Sequence, residues 1–346
     1  MAASGLRSYI IRRLLLLVPV LLGATLLIFA VSQMFSPVER ASLYVRDPKQ
    51  LRNIDEIIKK YHLDDPFFIQ FSHWLAEVLK GNLGWSKSVN MPVARAIVEF
   101  LPATAELVLY AAPLIIFLGI KMGVLSATHR DTPLDHATRT LAIIGWSLPS
   151  FWLGIVLLAV FYGVFGLFPP GRLSVEASIY VNSPNFIRYT KLNTIDALLN
   201  GQFWIFVDAL KHLVLPVATL VIINIALLMR ITRSSMLEEM SKLYVMMARA
   251  KGLDDKVVVN KHVQRNALIS ALTVSGLLTA SLLCGVVITE TVFNYHGIGY
   301  WAVHAAIQLD IPAVLGFTLF SALIFVAANL IVDIMYAYVD PRIKLG

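Results

Sequence analysis

The chain contains a single cysteine, Cys284, which excludes an intrachain disulfide and a cysteine metal cluster and leaves the redox compartment open. Set in an apolar run, Cys284 reads as a small buried hydrophobe. Charge is also scarce, at 15% of 346 residues. The sequence holds no G-x-x-x-x-G-K-[ST] phosphate loop, so any nucleotide-driven process would draw its energy from another chain. Its eight histidines show no H-E-x-x-H pattern, and His296 and His304 fall outside the helical spacing of a paired metal site. Serines in the apolar segments have no evident histidine partner, which argues against an intramembrane serine hydrolase. No internal repeat or low-complexity tail divides the chain.

What is abundant is apolar: 58% hydrophobic residues and a mean hydropathy of +0.72, far above the roughly 45–50% apolar content of soluble domains. An all-α integral membrane protein follows. A spanning helix needs about 20 mainly apolar residues. Six stretches qualify, near 10–34, 102–126, 140–166, 212–230, 268–289 and 312–337. The first, "YIIRRLLLLVPVLLGATLLIF", has the basic flank of a signal peptide but too long an apolar run and no convincing cleavage site, so it is expected to remain as a span.

The net charge of +7 could suggest nucleic acid, but its distribution speaks for membrane topology. Arg7, Arg12, Arg13, Arg130, Arg139, Arg342 and Lys344 flank one set of span ends, the 231–267 loop is rich in Lys and Arg, and the 290–311 loop has neither. Both termini are therefore expected in the cytoplasm. Residues 35–101, where Ile54, Ile57, Ile58 and Tyr61 recur at helical spacing, should form a small extracytoplasmic helical cap between spans 1 and 2. Residues 167–211 read as a looser excursion with turns at Pro, Gly and Asn. The expected organisation is thus an N-terminal span (1–34), the cap (35–101) and a core (102–346) with a cytoplasmic loop at 231–267.

That loop is unusual for so apolar a chain. Met236, Met240, Leu243 and Met247 follow a three-to-four-residue stripe, as in an amphipathic helix. Gly252 should end it, with Lys251 at the negative end of the helix dipole. Asp254 is placed to cap a second helix, and Leu253 and Val258 to staple it. A solvated linker or a surface amphipath would satisfy the pattern. Ala248 and Ala250 also leave room for another backbone, and Arg249 and Lys251 offer polar contacts, so the bend resembles a plug for a second protein.

"ARAKG" followed by "RNALI" resembles the cytoplasmic coupling loop of ABC importer permeases of the dipeptide/oligopeptide/nickel type. The resemblance extends through "GNLGWSKSVNMPVARAIVEFLPATAELVL", "SLPSFWLG", "TETVFNYHGIGYW" and "NLIVDIMYAYVDPRI" and covers almost the whole chain. It implies a type I importer permease of six helices in a prokaryotic inner membrane, paired with a second homologous permease. It further implies two ABC ATPase subunits carrying ATP and Mg, an extracytoplasmic solute-binding protein, and no cofactor in this chain. Ala248, Arg249, Ala250, Lys251 and Gly252 would dock to the ATPase. Three departures stand out: Ser270 and His296 replace usual prolines, and "SPVER" replaces a Pro-Gly-Asp-Pro signature.

Ionisable residues inside spans are costly and draw functional attention. Glu106 and Glu290 fit an outer gate or a binding-protein contact, and equally an interfacial carboxylate held by a neighbour. Asn329 and Asp333, four residues apart, fit a substrate contact or a structural pair. Pro19, Pro113, Pro149 and Pro216 each interrupt a span, and Pro149, between Trp146 and Trp152, fits a pathway lining or a packing cluster. The competing mechanism is an ion-gradient-driven secondary transporter with Glu106, Glu290 or Asp333 as its ion site.

Overall fold

A computed structural model describes residues 2–45, 49 and 53–339, without the side chains of 2–14, 17, 333 and 336–339. Helix α1 (Ala2–Ser32) leads into three short helices, α2 (Pro37–Ala41), α3 (Ile54–Lys60) and α4 (Phe67–Leu79). A two-residue hairpin, β1 (Trp85–Ser86) against β2 (Met91–Pro92), runs into the long α5 (Val93–Thr128). There follow α6 (Pro133–Ser147) and α7 (Ser150–Leu157), the latter continued by a π-helical stretch over Leu158–Val164. Then come α8 (Val175–Val181), α9 (Asn193–Leu199), α10 (Phe203–Met240) and α11 (Leu243–Ala250). Next, α12 (Asp255–Val257) passes through a second π-helical stretch, Val258–Val263, into α13 (Gln264–Leu283). The chain closes with α14 (Val287–Val292), α15 (Ile298–Ile307) and α16 (Ile311–Val339).

Among the described residues four helical segments are long and apolar enough to cross a membrane: Val93–Thr128, Phe203–Met240, Asp255–Leu283 and Ile311–Val332. Pro133–Ser147 and Ser150–Val164 would make a fifth span if the pair is counted as one. The two are bent by 98°, so the apolar stretch 140–166 is broken at Pro149, where an interruption was expected. The cause is local. Pro149 has no N–H to donate and disfavours helical backbone at the residue before it. Accordingly Leu148 is extended at ψ 129°, and Pro149 becomes the cap of α7. Pro19, Pro113 and Pro216, by contrast, lie inside helices that continue through them.

The membrane core is built on α5, α10 and α13. Ala103, Leu107, Ala111 and Ile115 recur every fourth residue along α5 and pack on Leu213, Val217 and Leu220 of α10 and Leu278 and Leu282 of α13. The α5 stripe continues with small residues. A Cβ at Gly123 would lie 2.7 Å from the Met229 carbonyl oxygen, so the two backbones are in contact there. Close approach of this kind substitutes for the hydrophobic effect, which lipid does not supply between helices.

The region after α1 has its own core, in which the expected stripe is realised on α3: Ile57 is buried, and Ile54, Ile58 and Tyr61 pack beside it. Phe29 of α1 sits at its centre, 5.3 Å from Trp74 and 5.4 Å from Phe67. The departure "SPVER" has a physical role of its own. Ser36 accepts from the Glu39 N–H and Glu39 accepts from the Ser36 N–H, a reciprocal cap on α2 with Pro37 in the first turn. The hairpin is pinned to α16 by buried Asp310, whose Oδ2 accepts from the Ser86 hydroxyl at 2.7 Å and the Ser88 N–H at 2.9 Å.

The segment 167–211 is better ordered than its turn-rich sequence suggests. α8, α9 and the start of α10 enclose Ala177, Val181, Phe186, Ala197 and Ile205. Buried Asp196 holds the intervening loop by accepting from the Thr190 N–H, the Thr190 hydroxyl and the Lys191 N–H, each at 2.8 Å.

Candidate functional site

The 231–267 segment forms an elbow. α10 continues to Met240, the chain breaks at Ser241 and Lys242, and α11 resumes in a new direction. The expected single amphipathic helix is thus two. Met236 is fully buried on α10, whereas Leu243 and Met247 on α11 are 73% and 61% exposed, so the four-residue stripe does not form one face. Met236 instead joins Ala127, Val245, Val258, Val263 and Ala267 in a small core that seats the elbow on the ends of α5 and α13. Tyr244 adds polar ties: its hydroxyl donates to Glu239 at 2.6 Å and accepts from the Asn266 amide at 3.1 Å. Burial, with the bond to Glu239 second, raises the phenol above its usual range.

Gly252 takes the left-handed conformation, φ +78°. Its N–H donates to the Arg249 carbonyl at 2.9 Å and the Leu253 N–H to the Ala248 carbonyl at 3.3 Å. This is the two-bond closure in which a C-terminal glycine satisfies the last carbonyls of a helix. Across the bend the Arg249 guanidinium meets Asp255 at 2.9 Å. The capping expectation for Asp254 is corrected: its side chain makes no cap hydrogen bond, and its backbone carbonyl accepts from Val257 and Val258 instead. Of the two residues expected to staple it, Val258 is buried in the core and Leu253 is 44% exposed.

Ala248 packs partly against that core, while Arg249, Ala250, Lys251 and Gly252 are exposed at the tip. Beside them Leu243, Met246, Met247 and Ala250, at i, i+3, i+4 and i+7, form an apolar stripe in the open. The sequence reading did not separate this surface because it put Leu243 and Met247 on one stripe with Met236 and Met240. The i, i+3, i+4 pattern starting at Leu243 carried the signal.

The elbow is braced at its root by an ion pair the sequence reading did not find. Asp135 on α6 is fully buried and receives both prongs of the Arg233 guanidinium, at 2.8 and 2.9 Å. The Ser126 hydroxyl also donates to it, and the Asp131 N–H does so at 3.1 Å.

At the other end of the bundle Glu106 and Glu290 are both buried and held by neighbours. Glu106 accepts from Arg172 and the Thr194 N–H at 2.8 Å, and from the Thr194 and Tyr295 hydroxyls at 3.0 Å. Four donors from two loops make it the peg that fastens segments 167–211 and 290–311 to α5. Tyr295 is raised well above the usual phenol range, first by burial and then by the Glu106 charge. Glu290 accepts from the Thr104 hydroxyl and the Tyr300 N–H at 2.6 Å and from the Val286 N–H at 3.4 Å. Burial is the largest influence on it and raises its carboxyl above the usual range. His296 lies outside this network, exposed and edge-on to Tyr300 at 4.6 Å.

Ser270 is an exposed residue within α13, which runs on through it; the local irregularity is the π-helical stretch before Gln264. Pro149 is exposed at the α6–α7 corner and Asn329 is exposed on α16. The Asp333 side chain lies outside the described residues, as do those of Arg7, Arg12, Arg13, Arg342 and Lys344. Among the described residues no cluster of three or more His, Cys, Asp or Glu side chains could hold a metal ion.

Comparison with known proteins fits this architecture. Residues 115–345 match the family described as binding-protein-dependent transport system inner membrane component. The chain is 36% identical to the dipeptide transport system permease protein of Alkalihalophilus pseudofirmus, over 97% of this chain and 99% of that one. It is 38% identical to the di/tripeptide transport system permease protein of Pseudomonas aeruginosa, over 97% and 98%. It is 36% identical to the oligopeptide transport system permease protein of Bacillus subtilis, over 97% and 99%. Such identity along nearly the full length favours a transport subunit over an enzyme or an ion-driven carrier. The chain belongs to the binding-protein-dependent transport system inner membrane component family and is a multi-pass permease of such a system.

Proposed function

We propose that this chain forms half of the translocation pathway of an ATP-driven type I importer and is moved by the elbow at 241–257. Its companions are a second homologous permease, two ABC ATPase subunits that bind ATP and Mg, and an extracytoplasmic solute-binding protein. The fold is read as six spans with both termini in the cytoplasm, α1 and the bent α6–α7 pair each counting as one, and residues 35–101 outside. Short peptides are the favoured cargo on the names of the three relatives, with oligosaccharides or a chelated metal as the alternatives.

One observation carries the coupling role. α11 is anchored on its inner face by Val245 and displays an unpartnered apolar stripe on its outer face, beside the Arg249–Asp255 pair. An exposed apolar stripe rimmed by charge is what a helix docking into a groove of another protein presents. Because its inner face shares a core with α5, α10 and α13, displacement of the elbow is transmitted to the spans.

The test uses the assembled transporter in proteoliposomes. Met247→Asp and Ala250→Trp should leave the permease in the membrane while uptake falls at least about tenfold, as expected for losing an interface anchor of about 1.4 kcal/mol or more. ATP hydrolysis should no longer respond to solute-loaded binding protein. Full stimulated hydrolysis and uptake in both variants would remove the elbow from the mechanism.

A further inference from the structure

Helices α6 and α10 run antiparallel and touch at two levels. At one, a Cβ on Gly145 would lie 2.7 Å from the Ile222 carbonyl oxygen, so the backbones meet there. At the other, Asp135 and Arg233 form the two-pronged ion pair. Along these contacts the helices form an open-sided cleft of about 490 Å³, lined by Arg139, Ile143 and Trp146 on α6 and Met229, Arg230 and Leu237 on α10.

Its chemistry is graded along its length. Arg139, Ile143 and Trp146 fall at i, i+4 and i+7 and share a face, so the wall runs from charge near the Asp135 clamp to apolar surface near Gly145. Asp135 already neutralises Arg233. Arg139 and Arg230 are exposed, and among the described residues neither pairs with a carboxylate; the Arg230 guanidinium lies over the Trp146 ring at 5.5 Å. The cleft therefore offers two exposed guanidinium groups, Arg139 nearer the Asp135 clamp and Arg230 reaching the Trp146 ring. The apolar lining includes Ile143 and Trp146 on α6 with Met229 and Leu237 on α10.

We infer that this cleft binds an anionic phospholipid, with the phosphate between Arg139 and Arg230 and an acyl chain along Ile143 and Trp146. Charge alone would suit any small anion. The apolar lining of the cleft is what selects a lipid, because a soluble phosphate would leave it exposed. Basic pockets between spanning helices hold acidic headgroups in this way. That the lipid belongs to the cytoplasmic leaflet rests on the orientation proposed above; the preference for a phosphate diester of net negative charge does not. The site sits at the root of the elbow, so an occupied cleft wedges α6 against α10 where motion enters the bundle.

Native mass spectrometry of the assembled transporter, released from detergent with phosphatidylglycerol or phosphatidylethanolamine of matched acyl chains, tests this directly. Wild type should retain phosphatidylglycerol in preference. The Arg139→Gln/Arg230→Gln double variant should weaken that retention by roughly 30-fold, from about 1 kcal/mol per basic side chain near a lipid surface. Arg139→Lys should largely preserve it, and Arg265→Gln, an exposed arginine on α13, should leave it unchanged. An unaltered preference in the double variant overturns the site, as does equal retention of the two lipids. Binding of inorganic phosphate without lipid, or a cleft occupied by the second permease with no lipid retained, also overturns it. Lipid retention is read without ATP turnover, so it fails or survives separately from the coupling role of α11.

Discussion

Asp135 reaches Arg233 across 98 residues of sequence, and nothing in either local segment announces the pair. Removing one partner leaves the other charge largely buried and uncompensated, which typically costs about 3–5 kcal/mol. Asp135→Ala should therefore lower the thermal midpoint of the purified protein far more than Arg130→Ala. The latter breaks an exposed pair with Asp131, of a kind that contributes about 0–1 kcal/mol. Glu106 and Glu290 were conspicuous in the sequence as carboxylates within apolar surroundings, but their partners Arg172, Thr194, Thr104 and Tyr300 were not, because those contacts exist only once distant loops fold back. Glu290 also predicts a pH dependence. Its folded-state value is raised by burial, so its stabilising contribution is complete below the ordinary glutamate range and is lost as pH rises through the raised value. Glu290→Gln cannot show that loss. Its amide satisfies the three donors less well, so the variant should be less stable at about pH 5. The deficit should narrow as pH rises to about 8; thermal midpoints of both proteins across that window would reveal a constant gap if the assignment is wrong.

Elements were legible where periodicity and turn chemistry agreed. Ile54, Ile57, Ile58 and Tyr61 gave α3 and its buried face, and Gly252 gave the end of α11, because both signals act within a turn or two. The stripe from Met236 to Met247 looked continuous since a break at Ser241 and Lys242 carries no proline or glycine. Pro149 did mark an interruption between Trp146 and Trp152, but not the 98° angle made there. Hydropathy says which residues avoid water; it does not say where a helix changes direction. The Gly252 elbow permits a sharp expectation at this scale. Gly252→Ala must adopt a left-handed backbone with nothing within 4 Å to obstruct it, a conformational cost of about 1–2 kcal/mol and no clash. Gly252→Pro cannot reach that φ and loses the bond to Arg249. Uptake should fall modestly in the first variant and collapse in the second, with both still inserted; equal uptake in the two would show that the bend geometry is immaterial.

As a whole, the molecule is a bundle whose two ends are finished differently. One end carries folded excursions fastened by buried carboxylates, and the other carries a seated elbow with an exposed apolar stripe. The basic loops of the sequence indicate which end should face the cytoplasm. Transmission needs a rigid connection from elbow to spans, which the shared core of Met236, Val245, Val258 and Ala267 provides. The most direct measurement is disulfide crosslinking with the assembled importer, using Met247→Cys in a Cys284→Ser background that removes the native thiol. Among engineered cysteines on the ATPase subunit, at least one should trap Met247→Cys in the resting state, and reduction should restore uptake. The thiol should also be protected from impermeant reagents added outside sealed cells. Labelling from the outside, or no crosslink at any ATPase position in a transporter working at full rate, would contradict the account.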